Sequence, residues 1–254
     1  MNRGDLTMIK TEGITKKFGD FVAVDHIDFT IQKDETVGII GPNGAGKTTF
    51  LNMITGYYLP DHGVIWYEGK DITRFSPEKR VSVGIVRTFQ LVRVFDNLKV
   101  YDNLALSYYR KKQGKPLPLS IFFSNFDHPH IHHAVNESLE MFELGHITQE
   151  MVGNLSLGNK RRLEIAMAFI ADPKVVALDE PFSGLGDLEI AEILGVFQKY
   201  SHNKTILIVE HKVSKLIGFV NRLAVMHEGK IVATGPPEKT LEDPEVRRVY
   251  WKLK

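Results

Sequence analysis

Apolar and polar positions change their period twice along the chain. Up to about residue 70 the apolar residues fall in short runs rich in Val, Ile and Phe, which predicts strands over 9–14, 22–24, 27–31 and 35–40. Gly19-Asp20 and Lys33-Asp34 mark turns between these runs. The run Val37-Gly38-Ile39-Ile40 is short, wholly apolar apart from its glycine, and followed at once by another glycine, as expected of a buried parallel strand. A helix is predicted over 47–54 and a short strand over 64–67. In the middle the period lengthens: Val100, Leu104 and Tyr108, then Val135, Leu139 and Phe142, recur at helical spacing. Between them, 111–127 carries Gly114, Pro116 and Pro118 and reads as a long loop. The last third alternates again, with a strand over 175–178, a helix over 187–200, a strand over 205–209, a helix over 213–219, and a hairpin of 222–226 with 230–234 across Glu228-Gly229. Strands alternating with helices predict an α/β fold whose mainly parallel sheet is covered on both faces.

Composition narrows the function. The chain has 254 residues, 43% of them hydrophobic and 25% charged, which suits a globular core and one or two domains. Lys and Arg total 32 against 31 Asp and Glu, so nothing in the charge points to nucleic acid as a partner. With no cysteine, disulfide frameworks, thiolate metal sites and cysteine nucleophiles are excluded. No apolar run is long enough to span a bilayer, and no apolar leader follows Met1, so the expectation is a cytoplasmic chain that meets a membrane through partners.

Three segments carry candidate chemistry. Gly41, Pro42, Asn43, Gly44, Ala45, Gly46, Lys47 and Thr48 complete the G-x-x-x-x-G-K-[ST] phosphate loop between a predicted strand and a predicted helix. Its glycines let backbone N–H groups converge on phosphate oxygens, the helix start adds donors, Lys47 suits the β- and γ-phosphates and Thr48 suits Mg2+. The apolar strand Val175-Val176-Ala177-Leu178 ends in Asp179 and Glu180. Asp179 suits a Mg2+ ligand and Glu180 the group that orients or deprotonates a water, although acids also simply close strands. Ser156 stands before a third helical run and suits an N-cap, either of an ordinary core helix or of a second phosphate-binding helix start. Asp127-His128-Pro129-His130-Ile131-His132-His133 holds four imidazoles and reads as an exposed loop, without the orienting partners that a metal site needs.

Together these residues resemble the nucleotide-binding subunits of ABC transporters over nearly the whole chain. The phosphate loop is similar to the Walker A motif, and residues 175–180 to Walker B with its glutamate. Gln90 stands where the family has its Q-loop, Leu155-Ser156-Leu157-Gly158-Asn159 where it has the LSGGQ signature, residues 183–187 where it has the D-loop, and His211 where it has the switch histidine. Phe18 is similar to the aromatic that stacks on adenine. The resemblance implies a P-loop NTPase with a RecA-like, mainly parallel sheet, an antiparallel β subdomain and an inserted helical subdomain. One ABC ATPase domain would then fill 1–254, with the core and β subdomain in 1–94 and 156–254 and the helical subdomain in 95–155. It also implies ATP and Mg2+ as cofactors, with Thr48, Gln90 and Asp179 on the metal and Glu180, His211, Gln90 and Lys47 in hydrolysis. ATP would contact Phe18, residues 41–48 and Thr49 and, across a head-to-tail dimer, Ser156, Leu157 and Gly158 of a second subunit. The chain departs from the family at Leu157, where Gly is usual, at Asn159, where Gln is usual, and in a D-loop reading Ser183-Gly184-Leu185-Gly186-Asp187.

Within the family the chain is similar to the ATPases of branched-chain amino acid importers. Gly84-Ile85-Val86-Arg87-Thr88-Phe89-Gln90, the Lys160-Arg161-Arg162-Leu163-Glu164 run, the insertion at 110–133 and Gly235-Pro236-Pro237-Glu238 carry that likeness. It implies transmembrane permease subunits docked after Gln90, around Leu91, Val92, Val94, Phe95 and Leu98, together with a second ABC ATPase and, indirectly, a substrate-binding protein. Urea and amide importers and lipopolysaccharide exporters are the alternatives within the family. Outside transport stand soluble ABC ATPases of DNA repair or translation, and a P-loop kinase, which would leave residues 155–159 and His211 without a role.

Overall fold

The structure, a computed structural model, describes residues 7–88, 92–113, 129–211 and 213–251. Its first part runs β1 (Thr7–Phe18), β2 (Phe21–Gln32), β3 (Thr36–Ile40), α1 (Lys47–Ile54), β4 (His62–Tyr67), β5 (Lys70–Asp71), α2 (Pro77–Ser82) and β6 (Ile85–Arg87). Then follow α3 (Val100–Gln113), α4 (Pro129–Met141) and α5 (Leu157–Phe169). The last part runs β7 (Val175–Asp179), α6 (Asp187–Tyr200), β8 (Thr205–Val209), α7 (Val213–Leu216), β9 (Arg222–His227), β10 (Lys230–Gly235), α8 (Pro237–Glu242) and α9 (Pro244–Trp251). Among the described residues no helix is long and apolar enough to cross a membrane.

Contacts divide the chain into two units, the first drawn from Met1–Arg87, Lys174–Phe182 and Ser201–Lys254. It holds two sheets. An antiparallel sheet has the order β2-β1-β4-β5, and a second sheet has the order β10-β9-β3-β8-β7-β6. In the second, β3 lies parallel to both β8 and β9, β7 is parallel to β8 and β6, and only β10 runs antiparallel. Every residue of β3, β7 and β8 is buried, which is why these strands read as continuous apolar runs. Phe50, Leu51 and Ile54 of α1 pack into the same core as Val37, Ile39, Ala177, Leu207 and Val209. The C-terminal ends of β3 and β7 therefore carry the phosphate loop and the Asp179-Glu180 pair on one sheet, where open α/β sheets bind ligands.

A fully buried arginine ties α1 to the segments that follow it. Arg80 donates from Nη1 to the carbonyls of Met53 and Ile54, from Nη2 to those of Ile72 and Thr73, and from Nε to that of Phe75. Two of these acceptors are carbonyls at the end of α1, which lack partners within the helix. Burial lowers the guanidinium to about 10, the cost of seating a charge among neutral dipoles. Arg80→Met would remove the arginine donor from all five carbonyls, of which Met53 O and Ile72 O keep the N–H groups of Gly56 and Phe75, and we expect it to lower unfolding stability by about 3 kcal/mol, read by urea titration.

The second unit takes Thr88–Pro173 and Ser183–Tyr200. The expected helical segment, 95–155, lies inside it, but the unit also includes α5 and α6. Their apolar faces explain this grouping: Phe169 of α5 meets Phe142 at 5.6 Å and stacks on Phe197 of α6 at 5.9 Å.

Local differences from the pattern have local causes. The predicted strands 22–24 and 27–31 are one strand, because β2 absorbs an irregularity in its pairing with β1 and carries His26 at φ 52°. The helix expected over 213–219 stops at Leu216, since Gly218 turns left-handed at φ 86°. Helix α2 was missed, although Ser76 caps it and Pro77 opens it. The segment read as a histidine loop is helical from Pro129, so His130, His132 and His133 sit on α4, and Asp127 and His128 lie outside the described residues. His132 Nδ1 is 2.6 Å from the Tyr101 hydroxyl, and no group of metal-holding side chains forms among the described residues.

Candidate nucleotide site

The phosphate loop is shaped by glycine where nothing else fits. Gly46 is the N-cap of α1 at φ 99°, and a Cβ there would lie 2.2 Å from the Ala23 carbonyl oxygen. Having no side chain, Gly46 leaves the first N–H groups of α1 available to an anion. The hairpin of β9 and β10 braces the loop through Gly229 N–H, which donates to Ala45 O at 3.1 Å. Lys47 is buried and bends back over the loop, its Nζ donating to Gly41 O at 2.8 Å and Pro42 O at 2.9 Å. Burial lowers its pKa, while Glu180, Asp179 and Glu210 act to raise it.

Asp179 ends β7 and is almost fully buried. Arg87 Nη2 donates to its Oδ2 at 3.0 Å, and Thr48 also hydrogen-bonds the carboxylate. Burial pushes the carboxyl above its ordinary value; Arg87, Thr48 and Lys47 pull it down, and Glu180 pushes it up. A hydroxyl and a carboxylate side by side are hard oxygen donors of the kind Mg2+ selects, so these residues fit that ion. Glu180 follows at φ 48°, a left-handed conformation rare for a residue with a side chain and common at functional sites. Its N–H donates to Val209 O, and its Oε1 lies 2.8 Å from His211 Nε2. A carboxylate and an imidazole in contact can share the work of holding a water and taking its proton.

Phe18 lies at the end of β1 and is 44% exposed, with Tyr58 edge-on at 5.4 Å and the Lys16 ammonium 5.7 Å over its ring, so it stands at the surface rather than in the core. Gln90 and Leu91 lie outside the described residues. The sequence reading passed over two polar residues here. Arg87 also binds Asn52 and lies 4.8 Å over the Tyr57 ring. Glu210 is buried and accepts from the main chain of Phe182 and His211. The same signal that marked Asp179, an acid closing an apolar strand, marks Glu210 after Thr205-Ile206-Leu207-Ile208-Val209.

In the second unit, Ser156 caps α5, its Oγ accepting from Asn159 N–H at 3.2 Å. Leu157 is exposed, whereas Gly158 is buried against Glu189, whose Oε1 would lie 2.1 Å from an added Cβ. Leu157 Cδ2 also lies near Gly184, and a Cβ at Gly158 would require the Glu189 carboxylate to move. Gly186 N–H donates to Glu189 Oε2 at 2.9 Å, so Glu189 also holds the 183–187 turn. Phe95 is exposed on a turn secured by Asn103, while Val92, Val94 and Leu98 are half-buried.

Residues 24–183 match the ABC transporter family. This chain belongs to that family. It is an ATP-binding cassette ATPase, and the likeness extends end to end. A probable branched-chain amino acid transport ATP-binding protein of Methanocaldococcus jannaschii is 33% identical, with 98% of each chain covered. The high-affinity branched-chain amino acid transport ATP-binding protein of Escherichia coli K12 is 32% identical, over 96% of this chain and 97% of its own. Among solved structures, the ADP conformation of an ATP-binding cassette of an ABC transporter superposes with a TM-score of 0.84 at 32% identity, covering 98% of this ABC ATPase and all of the other chain. A nucleotide-free cassette gives 0.83 at 31% identity, over 96% and 99%.

Proposed function

We propose that this chain is the ATP-hydrolysing motor of an importer for branched-chain amino acids. The observation that carries the cargo is the likeness, over nearly the full length of both chains, to proteins named for that transport. Residues 41–49 wrap the phosphates, with Lys47 on the β- and γ-phosphates, and Phe18 stacks on adenine. Thr48 and Asp179, with Gln90, would hold Mg2+, which supplies positive charge to the phosphate oxygens when bound. Glu180 accepts the proton of the attacking water, whose oxygen bonds to the γ-phosphorus as the bond to the ADP oxygen breaks. His211 steadies Glu180 and bonds the γ-phosphate. Ser156, Leu157 and Gly158 of a second ATPase subunit close on the same nucleotide, the exposed start of α5 supplying its N–H groups.

Engagement of two such subunits, on the inner face of the membrane, drives permease subunits docked around Phe95. A peripheral cytoplasmic chain suits this role. The test is labelled-leucine uptake by cells lacking the native gene and carrying either wild-type protein or Glu180→Gln. Uptake restored by the wild type alone supports the reading. Uptake restored by neither, beside wild-type protein that hydrolyses ATP in vitro, would leave the family intact and overturn the cargo.

A further inference from the structure

Of the three carboxylates that act on the Lys47 charge, Glu180, Asp179 and Glu210, the proposed chemistry leaves Glu210 without work. It directly follows β8 and is only 2% exposed. Its Oε1 accepts from Phe182 N–H at 2.8 Å and its Oε2 from His211 N–H at 2.9 Å. Its own N–H donates to Ile39 O at 3.1 Å, on the strand that leads into the phosphate loop. A buried carboxylate is costly unless its oxygens are bonded, and here the bonds go to two separate stretches of main chain. One stretch carries Glu180, two residues before Phe182. The other carries His211 itself. The Glu180 N–H donates to Val209 O at 2.9 Å, closing a ring of bonds around the contact between Glu180 Oε1 and His211 Nε2.

We propose that Glu210 is a positioning residue for hydrolysis. By gripping the backbone on both sides it sets the separation of Glu180 and His211, and hence their aim at the attacking water, without touching the nucleotide. The proposal rests on the hydrolytic roles assigned above to those two residues. A displacement of about 1 Å in a reacting group is enough to cost up to a hundredfold in rate, so the grip matters to turnover and not to binding.

Glu210→Asp keeps the charge and both acceptors but draws them back by about 1.5 Å, so the carboxylate can no longer reach both N–H groups. We expect kcat to fall at least tenfold with the KM and Kd for ATP unchanged. Glu210→Gln, which keeps the size and loses one acceptor, should show the same split and serves if the shorter side chain impairs folding. A second readout needs no turnover. In 15N-histidine NMR spectra of the wild-type protein the His211 ring signals should move on Glu180→Ala. In the Glu210→Asp background that response should vanish. Wild-type kcat in the folded variants, a rise in KM and Kd matching the loss of kcat, or an unchanged response of His211 would each overturn the proposal. Failure of the underlying assignment is separately visible, because His211→Ala would then keep wild-type turnover.

Discussion

Purified Glu180→Gln protein is expected to bind ATP as tightly as the wild type and to release phosphate about 10²–10⁴ times more slowly. The substitution preserves size, the strained backbone at φ 48° and an oxygen that can still accept from His211 Nε2, now 2.8 Å from Oε1. It removes only the capacity to take a proton. Binding should survive because the contacts to phosphate proposed above come from residues 41–49, which the change does not touch. With hydrolysis blocked, ATP should accumulate in the closed pair of subunits, so gel filtration with ATP and Mg2+ should shift the variant towards a dimer. Phosphate release at the wild-type rate would show that Glu180 is not the base.

Lys47→Ala should weaken ATP binding by about 10–100-fold, the worth of a charge-assisted contact to phosphate, and lower turnover further because the γ-phosphate is no longer held. The loop should lose order as well, since the carbonyls of Gly41 and Pro42 lose their shared donor. The wild-type protein carries a pH signature of the same residue. Burial lowers the pKa of Lys47 below 10.5. ATP needs the ammonium, so its affinity should fall as pH rises through that lowered value. Between it and 10.5 the unfolded chain still holds a proton that the folded chain has lost. The contribution of Lys47 to nucleotide-free stability therefore rises with pH in that window. Opposite trends of affinity and stability, both removed by Lys47→Ala, would identify the group. Calorimetric ATP titration and urea unfolding across alkaline pH would read them.

The nucleotide site was legible in proportion to how local its requirements are. The phosphate loop was plain because left-handed glycines, the helix start and Lys47 are adjacent in sequence. The Ser156 cap was plain for the same reason, since a cap bonds within three residues. The departures in that segment became intelligible only in three dimensions: a Cβ at Gly158 would have to displace the Glu189 carboxylate of α6, whereas Leu157 lies exposed with its Cδ2 towards Gly184. Val135 and Leu139 mark the body of α4 in the sequence but not its first turns, where Pro129 and the histidines carry little helical signal and the burial of Ile131 extends the helix.

By itself, then, the sequence determined the class of fold, the strand-loop-helix with its glycine-rich turn, the acids that close β7 and, through likeness, the family. Each of these depends on neighbours along the chain. Only the tertiary structure decided which partners meet. Arg87 reaches Asp179 across 92 residues, Arg80 reaches the end of α1 across 26 and 27, and Glu210 reaches Phe182 across 28. Glu180 meets His211 because β7 and β8 lie side by side in register, Asp179 opposite Val209. Such pairings follow from strand order and register, which emerge when buried strands find the one arrangement that satisfies their backbone and covers their faces. No local pattern of residues encodes that choice.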